Sequence, residues 1–402
     1  MRILQLTNKP PWPDKDGGAI AMLNLTRGFY RLGHEVTVLA MNTLKHHSRR
    51  EEMPPGISKL ADFRFVEVPA PVSPISALTN LLFSRLPYNA VRFISPEFKK
   101  ALTDLLHEKE FDLVQLEGLY LCPYIPLIRA HSKARIAYRA HNIEAEIWQR
   151  TAALSSGFKK WYLQNLARRI ARFEHHWLNQ YDLLVPITGR DEAHLRQAGN
   201  LRPALVTPSG IEPPDPADLA GETEFPSLFH LGSLEWAPNQ EGLIWFLKNI
   251  WGGVSPKYPA LRLYVAGRNA PAWMVEKLKQ PGVVYLGEVE SATRFMHSKA
   301  IMVVPLLSGS GMRVKIAEGM ALGKAIISTS IGAEGLHVTP GTHLLVADDA
   351  PAFIQAIQQV VEDRTLCLSL GSHAARFAEE HLDNLAIARR LADFYLQNLA
   401  RC

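Results

Sequence analysis

The feature that most constrains the fold is a repeated alternation of short apolar segments with longer amphipathic ones. In residues 1–210 the apolar segments are RILQL (2–6), EVTVLA (35–40), FRFVEV (63–68), DLVQLE (112–117), ARIAYR (134–139) and DLLVPIT (182–188). In the rest of the chain they are SLFHLG (227–232), LRLYVAG (261–267), VVYLG (283–287), AIMVVPL (300–306), AIIST (325–329) and HLLVA (343–347). Such alternation is typical of doubly wound α/β domains. The sequence therefore predicts two parallel sheets.

The chain is too long for one ordinary core, because it has 402 residues. Residues 208–226, PSGIEPPDPADLAGETEFP, are rich in Pro, Gly and acidic residues and lack periodic apolar positions. We therefore predict an N-terminal domain at 1–207, a linker at 208–226 and a C-terminal domain at 227–382. Residues 383–402 read as a helix that packs back on the first domain. Ligands are expected in a cleft beyond the carboxyl ends of the strands.

Composition and charge exclude several classes of protein. With 47% hydrophobic and 21% charged residues, the chain is neither disordered nor collagenous. Cys122, Cys367 and Cys402 are few and far apart, which favours reduced thiols over a disulfide framework or a zinc cluster. We find no signal peptide or transmembrane segment and expect a cytoplasmic protein. Residues 1–210 hold 28 Lys and Arg against 19 Asp and Glu, so this half is better suited to an anionic surface.

The strongest candidate site lies in residues 305–329, PLLSGSGMRVKIAEGMALGKAIIST. Gly309 and Gly311 allow a tight loop, and Arg313 and Lys315 follow at a predicted helix start. A helix start already carries partial positive charge, so two cations there are unfavourable unless an anion binds. The segment therefore predicts a phosphate site.

Glu318 lies one helical turn after Lys315. Its carboxylate could accept hydrogen bonds from both hydroxyls of a ribose. Alternatively, Lys315 and Glu318 form an ion pair three residues apart on a solvated helix face.

Two loops of the first half are further candidates. Gly17 and Gly18 precede a predicted helix, where they could let a ligand approach and leave helix N–H groups for an anion. The alternative is a helix start without a ligand. His141 follows a strand and could donate to a sugar hydroxyl or phosphate, or carry a proton. Alternatively, His141 or Asn142 caps the helix that carries Glu144.

In the second half, Trp236 offers a flat face for a base or sugar, although most tryptophans serve packing. Asn239 suits a helix beginning. Arg268, in AGRNAP (266–271), and Leu286, near the end of VVYLGE (283–288), are placed to flank a nucleobase.

A long basic helix is predicted in residues 157–182. Its apolar stripe, with cations Lys159, Lys160, Arg168, Arg169 and Arg172 around it, comprises Leu163, Leu166, Ile170, Phe173 and Trp177. Such a face could contact anionic lipid or a lipid-linked acceptor. Alternatively, the stripe packs on the domain and the charges are solvated.

Four segments together resemble the GT-B glycosyltransferases, and among them the family-four-type retaining group that uses nucleotide-diphosphate sugars. They are GG (17–18), HNIE (141–144), GSLEWAPN (232–239) and PLLSGSGMRVKIAEGMALGKAIISTSIGAEGL (305–336). The resemblance implies an α/β fold of two Rossmann-like doubly wound parallel-sheet domains facing a cleft. The first domain would bind the acceptor and the second the donor. No metal and no cofactor are expected.

The resemblance also implies roles for particular residues. Arg313 and Lys315 would hold the diphosphate, and His141, with Gly18, would approach the transferred sugar. We therefore assign catalysis to His141, Arg313 and Lys315. The predicted donor-binding residues are Gly17, Gly18, Trp236, Asn239, Arg268, Leu286, Ser310, Gly311, Glu318, Glu334, Gly335 and Leu336.

The sequence departs from this family at two places. Family members pair two glutamates, and the position eight before Glu318 is here Ser310. They also often carry Arg and Lys after the first strand of the donor domain, where this chain has Glu235, Trp236 and Gln240. The identity of the transferred sugar is therefore open.

We expect a retaining glycosyltransferase that acts on a carbohydrate or lipid-linked acceptor in cell-surface polysaccharide or glycoconjugate synthesis. It would be cytoplasmic, with peripheral contact to the inner face of the membrane through its basic domain, and would bind no nucleic acid. Two alternatives remain open. One is a nucleotide-sugar epimerase or hydrolase of the same fold, and the other is a non-catalytic nucleotide-sugar-binding protein.

Overall fold

The computed structural model describes residues 1–153, 155–309 and 311–400. The chain divides into two compact units. Unit 1 comprises Met1–Gly210 with Asn384–Cys402, and unit 2 comprises Ile211–Asp383. Among the described residues, each unit has one six-stranded sheet.

The sheet of unit 1 is parallel throughout, in the order β3-β2-β1-β4-β5-β6. Its strands are β1 Arg2–Thr7, β2 Glu35–Asn42, β3 Asp62–Glu67, β4 Leu113–Glu117, β5 Arg135–Ala140 and β6 Leu183–Pro186. The central strands β1 and β4 are buried along almost their whole length. Helices cover both faces of such a sheet, which explains why its strands are nearly continuous apolar runs.

Helices connect these strands, and several begin at a side-chain cap. They are α1 Gly17–Arg31, α2 Pro55–Ser58, α3 Pro74–Phe83, α4 Tyr88–Val91, α5 Pro96–Glu108, α6 Ile125–His131, α7 Glu144–Ala153, α8 Gly157–Trp177 and α9 Gly189–Gln197. Ser73 caps α3 and Ser95 caps α5, and each cap is followed by a proline. Proline is favoured there because its fixed backbone angle suits the first helical position.

Unit 2 repeats the scheme with a parallel sheet in the order β12-β11-β10-β7-β8-β9. Its strands are β7 Glu224–Leu231, β8 Leu263–Ala266, β9 Val283–Gly287, β10 Lys299–Val304, β11 Ala325–Ser328 and β12 Leu345–Val346. Counted from the first strand of each unit, both sheets have the 3-2-1-4-5-6 order of dinucleotide-binding folds. The fold class predicted from the sequence is confirmed.

The helices of unit 2 are α10 Ala237–Phe246, α11 Gly252–Val254, α12 Ala272–Leu278, α13 Ala292–His297, α14 Val314–Ala321, α15 Ser330–Ala333, α16 Ala350–Glu362 and α17 Arg364–Leu382. A π-helical turn, Leu247–Trp251, joins α10 to α11. Short 3-10 turns lie at Arg50–Glu52, Leu119–Tyr124 and Pro216–Leu219.

The first strand of unit 2 begins earlier than its apolar pattern predicts. β7 starts at Glu224, within the segment predicted as a linker. The Glu224 carboxylate pairs with Lys299 Nζ at 2.5 Å and accepts a hydrogen bond from Tyr264 Oη at 2.9 Å. A charged residue can therefore start this strand because neighbouring strands supply its partners.

The last helix, α18 Asn384–Leu399, belongs to unit 1 and packs on α1. A Cβ atom on Gly28 would lie 2.3 Å from the Cβ of Ala388, so the two helices touch where α1 lacks a side chain. Tyr395 is fully buried and donates to Gln115 Oε1 at 2.6 Å. α18 therefore completes both the apolar core and a polar network of unit 1.

The apolar stripe of α8 faces the core. Its buried members are Leu163, Leu166, Ile170, Phe173 and Trp177. This is the packing alternative, so these side chains do not form a lipid-facing surface. In the part of the chain that the structure describes, no helix is long and apolar enough to cross a membrane.

Candidate functional site

The loop between β10 and α14 brings two predicted cations to one helix start. Arg313 occupies the position just before α14, and Lys315 lies in its first turn. Gly309 and Gly311 have φ angles of 113° and 79°, in the left-handed region that glycine adopts without strain. Ser310 lies outside the described residues.

Arg313 is held against an aromatic ring. Its guanidinium carbon lies 5.5 Å from the centre of the Trp236 ring, which is within the range of a cation–π contact. A Cβ atom on Gly309 would lie 2.6 Å from Arg313 Nη2 and 3.2 Å from the Trp236 ring. Glycine at this position therefore gives Arg313 the space to lie between the loop and the start of α10.

Lys315 and Glu318 form the ion pair that was predicted as the alternative to ribose binding. Lys315 Nζ lies 2.7 Å from Glu318 Oε2. Their side chains are 31% and 22% exposed, so solvent reaches both. A partly exposed pair of this kind contributes only about 0.2–1 kcal/mol. An arriving phosphate or ribose could replace it at small cost.

The loop after β7 is fixed by amide side chains of α10. Asn239 is buried, and its Nδ2 donates to the backbone oxygen of Ser233 at 2.9 Å. Gln240 Nε2 donates to Leu234 O at 2.6 Å. Asn239 thus holds the loop internally, whereas Trp236 is 39% exposed and open to a ligand.

Glu241 and Ser308 form a link between α10 and the cationic loop that the sequence did not predict. Ser308 Oγ donates to Glu241 Oε2 at 3.0 Å. Close by, a Cβ atom on Gly242 would lie 2.3 Å from Pro305 O, so helix and loop are in direct contact. The sequence signal for this link was weak, because a glutamate near the start of a helix ordinarily stabilises that helix through its dipole.

Arg268 lies on the neighbouring loop after β8. Its backbone oxygen accepts a hydrogen bond from Leu234 N at 2.9 Å, which joins the two loops. Its buried Nε has no hydrogen-bond partner among residues 1–153, 155–309 and 311–400. With Arg313 and Lys315, Arg268 is therefore a third cation in the loops that follow the carboxyl ends of this sheet.

The remaining predicted donor residues differ in accessibility. Leu286, near the end of β9, is 44% exposed. Leu336 is only 2% exposed, so its side chain belongs to the core of unit 2. Glu334 and Gly335 directly follow α15, at the carboxyl side of β11.

In unit 1, His141 is paired with a buried carboxylate. His141 follows β5 and Glu117 ends the neighbouring strand β4, and His141 Nε2 lies 2.6 Å from Glu117 Oε2. The His141 side chain is 17% exposed, whereas that of Glu117 is fully buried. Glu117 thus orients the ring so that Nδ1 remains for another partner.

Burial opposes ionisation of Glu117, but two partners outweigh it. The charge of Arg139, whose Nη1 lies 3.7 Å away, and the His141 hydrogen bond hold the pKa of Glu117 below its usual value. Gln115 Nε2 also donates to Glu117 at 2.5 Å. Glu117 was not predicted as a site residue, although a glutamate that ends an apolar strand was the available signal.

The start of α7 is capped from another helix. Glu144 N donates to Glu174 Oε1 of α8 at 3.2 Å. Burial, and then the charge of Glu144, raise the pKa of Glu174 to about 8. Tyr120 Oη donates to Glu144 Oε2 at 2.8 Å.

The start of α1 is already occupied by a side chain of unit 1. Asp16 accepts hydrogen bonds from Gly18 N and Ala19 N at 3.0 and 3.1 Å, and it pairs with Lys9 Nζ at 2.5 Å. Burial opposes the Asp16 charge, but Lys9 lowers the pKa of Asp16 to about 2. The N–H groups of Gly18 and Ala19, which were expected to be open to an anion, therefore donate to the Asp16 side chain instead.

No group of three or more His, Cys, Asp or Glu residues that could hold a metal ion occurs within 1–153, 155–309 and 311–400.

Comparison with family models identifies the chain. Residues 15–213 match the model described as Glycosyltransferase Family 4, and residues 225–363 match the model described as Glycosyl transferases group 1. The chain belongs to the GT-B glycosyltransferases. This glycosyltransferase is of the group 1 and family 4 type, which uses nucleotide-sugar donors.

Known proteins similar to this glycosyltransferase match it over nearly its full length. A protein of Klebsiella pneumoniae described as "Uncharacterized 44.6 kDa protein in cps region" is 22% identical, covering 95% of this chain and 97% of its own. Sucrose-phosphate synthase of Thermosynechococcus elongatus superposes with a TM-score of 0.74 at 16% identity, over 100% of both chains. HepE of Anabaena, in complex with UDP and glucose, gives 0.70 at 14% identity, over 98% of this chain and 99% of its own.

Proposed function

We propose that this glycosyltransferase moves a sugar from a nucleotide-diphosphate sugar to a carbohydrate or lipid-linked acceptor, with retention of anomeric configuration. The reaction would serve cell-surface polysaccharide or glycoconjugate synthesis. The observation that carries the proposal is the site at α14. Arg313 lies against the exposed Trp236, and the solvent-accessible Lys315 and Glu318 lie in the first turns of the same helix.

The chemistry of donor cleavage fits these groups. As the bond between sugar and phosphate breaks, negative charge grows on the diphosphate oxygens. Arg313 and Lys315 at the positive end of α14 stabilise that charge, because they are in place before the bond breaks. These positive side chains then neutralise the charge that a divalent metal ion neutralises in other enzymes. We therefore propose that transfer needs no metal.

In the same proposal, Glu318 binds the ribose hydroxyls, and Trp236 and the loop of Arg268 flank the base. His141 meets the transferred sugar through its Nδ1, while Glu117 holds the ring through Nε2. The complex of Anabaena HepE with UDP and glucose supports a uridine nucleotide as the first donor to test.

An acceptor carried on a lipid would bring the enzyme to the inner face of a membrane. We propose that it acts there as a cytoplasmic, peripherally bound protein. The basic character of residues 1–210 supports this location, because the surfaces of many membranes are anionic.

The test is an assay of purified protein with UDP-, GDP- and ADP-sugars and a panel of sugar and lipid-linked acceptors. Mass spectrometry should find an acceptor enlarged by one sugar, and NMR of that product should show the anomeric configuration of the donor. Inversion would contradict retention. Sugar released without an acceptor would favour an epimerase or hydrolase, and tight nucleotide binding without turnover would favour a binding protein.

A further inference from the structure

Helix α3 of unit 1 exposes its apolar residues. Ile75, Leu78 and Leu82 follow one helical face and are 78%, 53% and 66% exposed, and Phe83 is 84% exposed. The same helix buries the polar Asn80. In a helix that packs on its own domain the apolar face is turned inward. The outward face of α3 is therefore suited to a partner that accepts apolar side chains.

The start of α8 extends this apolar face. Phe158 is 71% and Trp161 52% exposed, and their ring centres are 5.3 Å apart. Lys159 and Lys160 lie between them in the sequence and are exposed. Aromatic rings interleaved with lysines are typical of protein segments that lie at the boundary between lipid headgroups and acyl chains.

Arg169 of α8 joins the two helices. Its Nη2 donates to the backbone oxygens of Ser84, of Leu86 at 2.6 Å and of Asn80 at 3.3 Å, where α3 ends. Trp161 lies eight residues before Arg169, about 12 Å along the helix axis. The exposed residues of α3 and of the start of α8 therefore belong to one region of unit 1.

The two segments that form this region carry charges of a single sign. The sequence contains no Asp or Glu from residue 68 to 96 or from 147 to 173. Its exposed cations are Arg85, Lys159, Lys160, Arg168 and Arg172. We call these cations, with the exposed apolar residues of α3 and of the start of α8, the apolar-basic surface.

We infer that the apolar-basic surface binds an anionic lipid bilayer, with the apolar side chains inserted between headgroups and the cations paired with lipid phosphates. Two copies of this chain meeting through the surface would bring cations against cations, which opposes self-association. An anionic bilayer offers both the apolar phase and the negative charge. The inference deepens the proposed membrane location and rests on contacts that do not involve the transfer site.

The experiment is co-sedimentation of the full chain with vesicles. One set contains phosphatidylcholine with 40% phosphatidylglycerol, and the other contains phosphatidylcholine alone. We expect strong binding to the anionic set and little to the neutral set. Two variants should each weaken binding to anionic vesicles. The double variant Lys159→Gln with Lys160→Gln should lose about thirtyfold, and Leu82→Ser with Phe83→Ser should lose about tenfold or more.

Matched controls change equally exposed side chains elsewhere. Leu201 is 86% and Leu368 64% exposed, and Leu201→Ser and Leu368→Ser should leave vesicle binding unchanged. Circular dichroism melts check that all variants fold. In a second readout, brominated lipid should quench the fluorescence of the wild type, and Trp161→Phe should remove most of that quenching.

The inference is overturned if the wild type does not bind anionic vesicles, or if the variants bind as well as the controls. Light scattering tests the alternative partner, a second copy of the chain. If the wild type is a dimer and the variant Leu82→Ser with Phe83→Ser is a monomer, the surface binds that second copy and not a bilayer. Sugar transfer to a soluble acceptor, measured for the same variants, distinguishes a failure of the membrane inference from a failure of the proposed function. We expect the variants to retain it, because none of the changed residues belongs to the proposed transfer site.

Discussion

Arg313 and Lys315 stand at the same helix start but are held differently. Arg313 is packed against Trp236 and Gly309, whereas Lys315 is paired with the partly exposed Glu318. The position of Arg313 is thus built into the fold, and that of Lys315 can change when a ligand arrives. In our proposal both cations bind the diphosphate of the donor, whereas Glu318 binds its ribose.

The first prediction separates these contacts. Arg313→Ala or Lys315→Ala should lower kcat by about 10²–10³-fold, because the developing phosphate charge loses a positively charged partner. Glu318→Ala should instead weaken nucleoside binding by about 1.5–3 kcal/mol for each hydrogen bond lost to the ribose. Calorimetry with nucleoside, nucleoside diphosphate and nucleotide sugar measures the difference. Ser310→Ala should be milder than any of these.

Lys277→Ala is the matched control, because Lys277 is an exposed cation of α12. It should leave both kcat and binding unchanged. Unaltered nucleoside affinity in Glu318→Ala, or unaltered turnover in both cation variants, would remove the donor site from this loop.

A second prediction concerns Glu117 as a positioning residue. Glu117→Gln removes the charge that holds His141, so kcat should fall about tenfold or more while the KM for the donor stays near its original value. His141→Ala should likewise cost turnover more than donor affinity. A double-mutant cycle distinguishes positioning from mere destabilisation.

In that cycle, Glu117→Gln should have little further effect on kcat once His141 is already alanine. An equal effect in both backgrounds would mean that Glu117 acts on the fold alone, for example by leaving Arg139 without a counter-charge. Thermal melts of all three variants measure that contribution separately.

A third prediction uses the raised pKa of Glu174. Its value of about 8 in the folded state exceeds the ordinary 4.5, so between these pH values the native chain binds more protons than the unfolded chain. The free energy of unfolding should therefore decrease as pH rises through this window, by up to about 1.4 kcal/mol per pH unit. Glu174→Gln should flatten this slope, since it keeps an oxygen for Glu144 N.

Urea unfolding at pH 5, 6.5 and 8 measures the slope. Glu51→Gln, which changes an exposed glutamate of the same unit, should retain the wild-type slope. If Glu174→Gln also retains it, another group is responsible for the pH dependence.

At the scale of strands and helices, all twelve predicted strands are confirmed, and their bounds shift by at most three residues. The prediction succeeded because strands buried on both faces are written as apolar runs. The largest shift, at the start of β7, arises where a polar residue joins a strand through a distant partner, as Glu224 does with Lys299. Such a partner lies 75 residues away and leaves no local signal.

The surroundings of helical side chains were harder to predict than the helices themselves. The stripe of α8 was found, but whether it faces lipid or core depends on what packs against it. The exposed apolar face of α3 was not predicted, because it depends on how Arg169 and Asn80 anchor this helix. Likewise Glu117 and Asp16 were missed, since a site residue is recognised through its partners and those are set by the fold.

The fourth prediction tests the contact of α18 with α1. Ala388→Leu should destabilise the protein by about 1–3 kcal/mol, because Gly28 and Ala388 leave no space for extra methylene groups. Ala386→Leu, the same change on the exposed side of the same helix, should alter stability by less than about 0.5 kcal/mol. Chemical denaturation measures the free energy of unfolding of both variants. Equal losses would mean that the two helices separate readily.

At the scale of the whole molecule, charge is distributed unevenly. Residues 1–210 carry an excess of Lys and Arg, whereas residues 211–402 hold 16 Lys and Arg against 20 Asp and Glu. The proposed diphosphate contacts are therefore local cations within an acidic half of the chain. Their arrangement, and not the net charge of that half, must attract the donor.

The fifth prediction follows from these local cations. Transfer should persist in excess EDTA, because fixed side chains take the place of a divalent ion at the diphosphate. A metal-dependent glycosyltransferase assayed in parallel should lose its activity. Loss of transfer by this enzyme, with rescue by magnesium or manganese, would show that Arg313 and Lys315 are not sufficient.

The return of α18 to unit 1 has a consequence during protein synthesis. The ribosome makes residues 1–210 first, but Tyr395 and Leu391, which fill the core of unit 1, follow only after all of unit 2. At about 5–20 residues per second, this delay lasts roughly ten to thirty-five seconds. Throughout that interval the nascent first half presents the buried surface of α1 uncovered, and chaperones that recognise apolar helices have time to bind it.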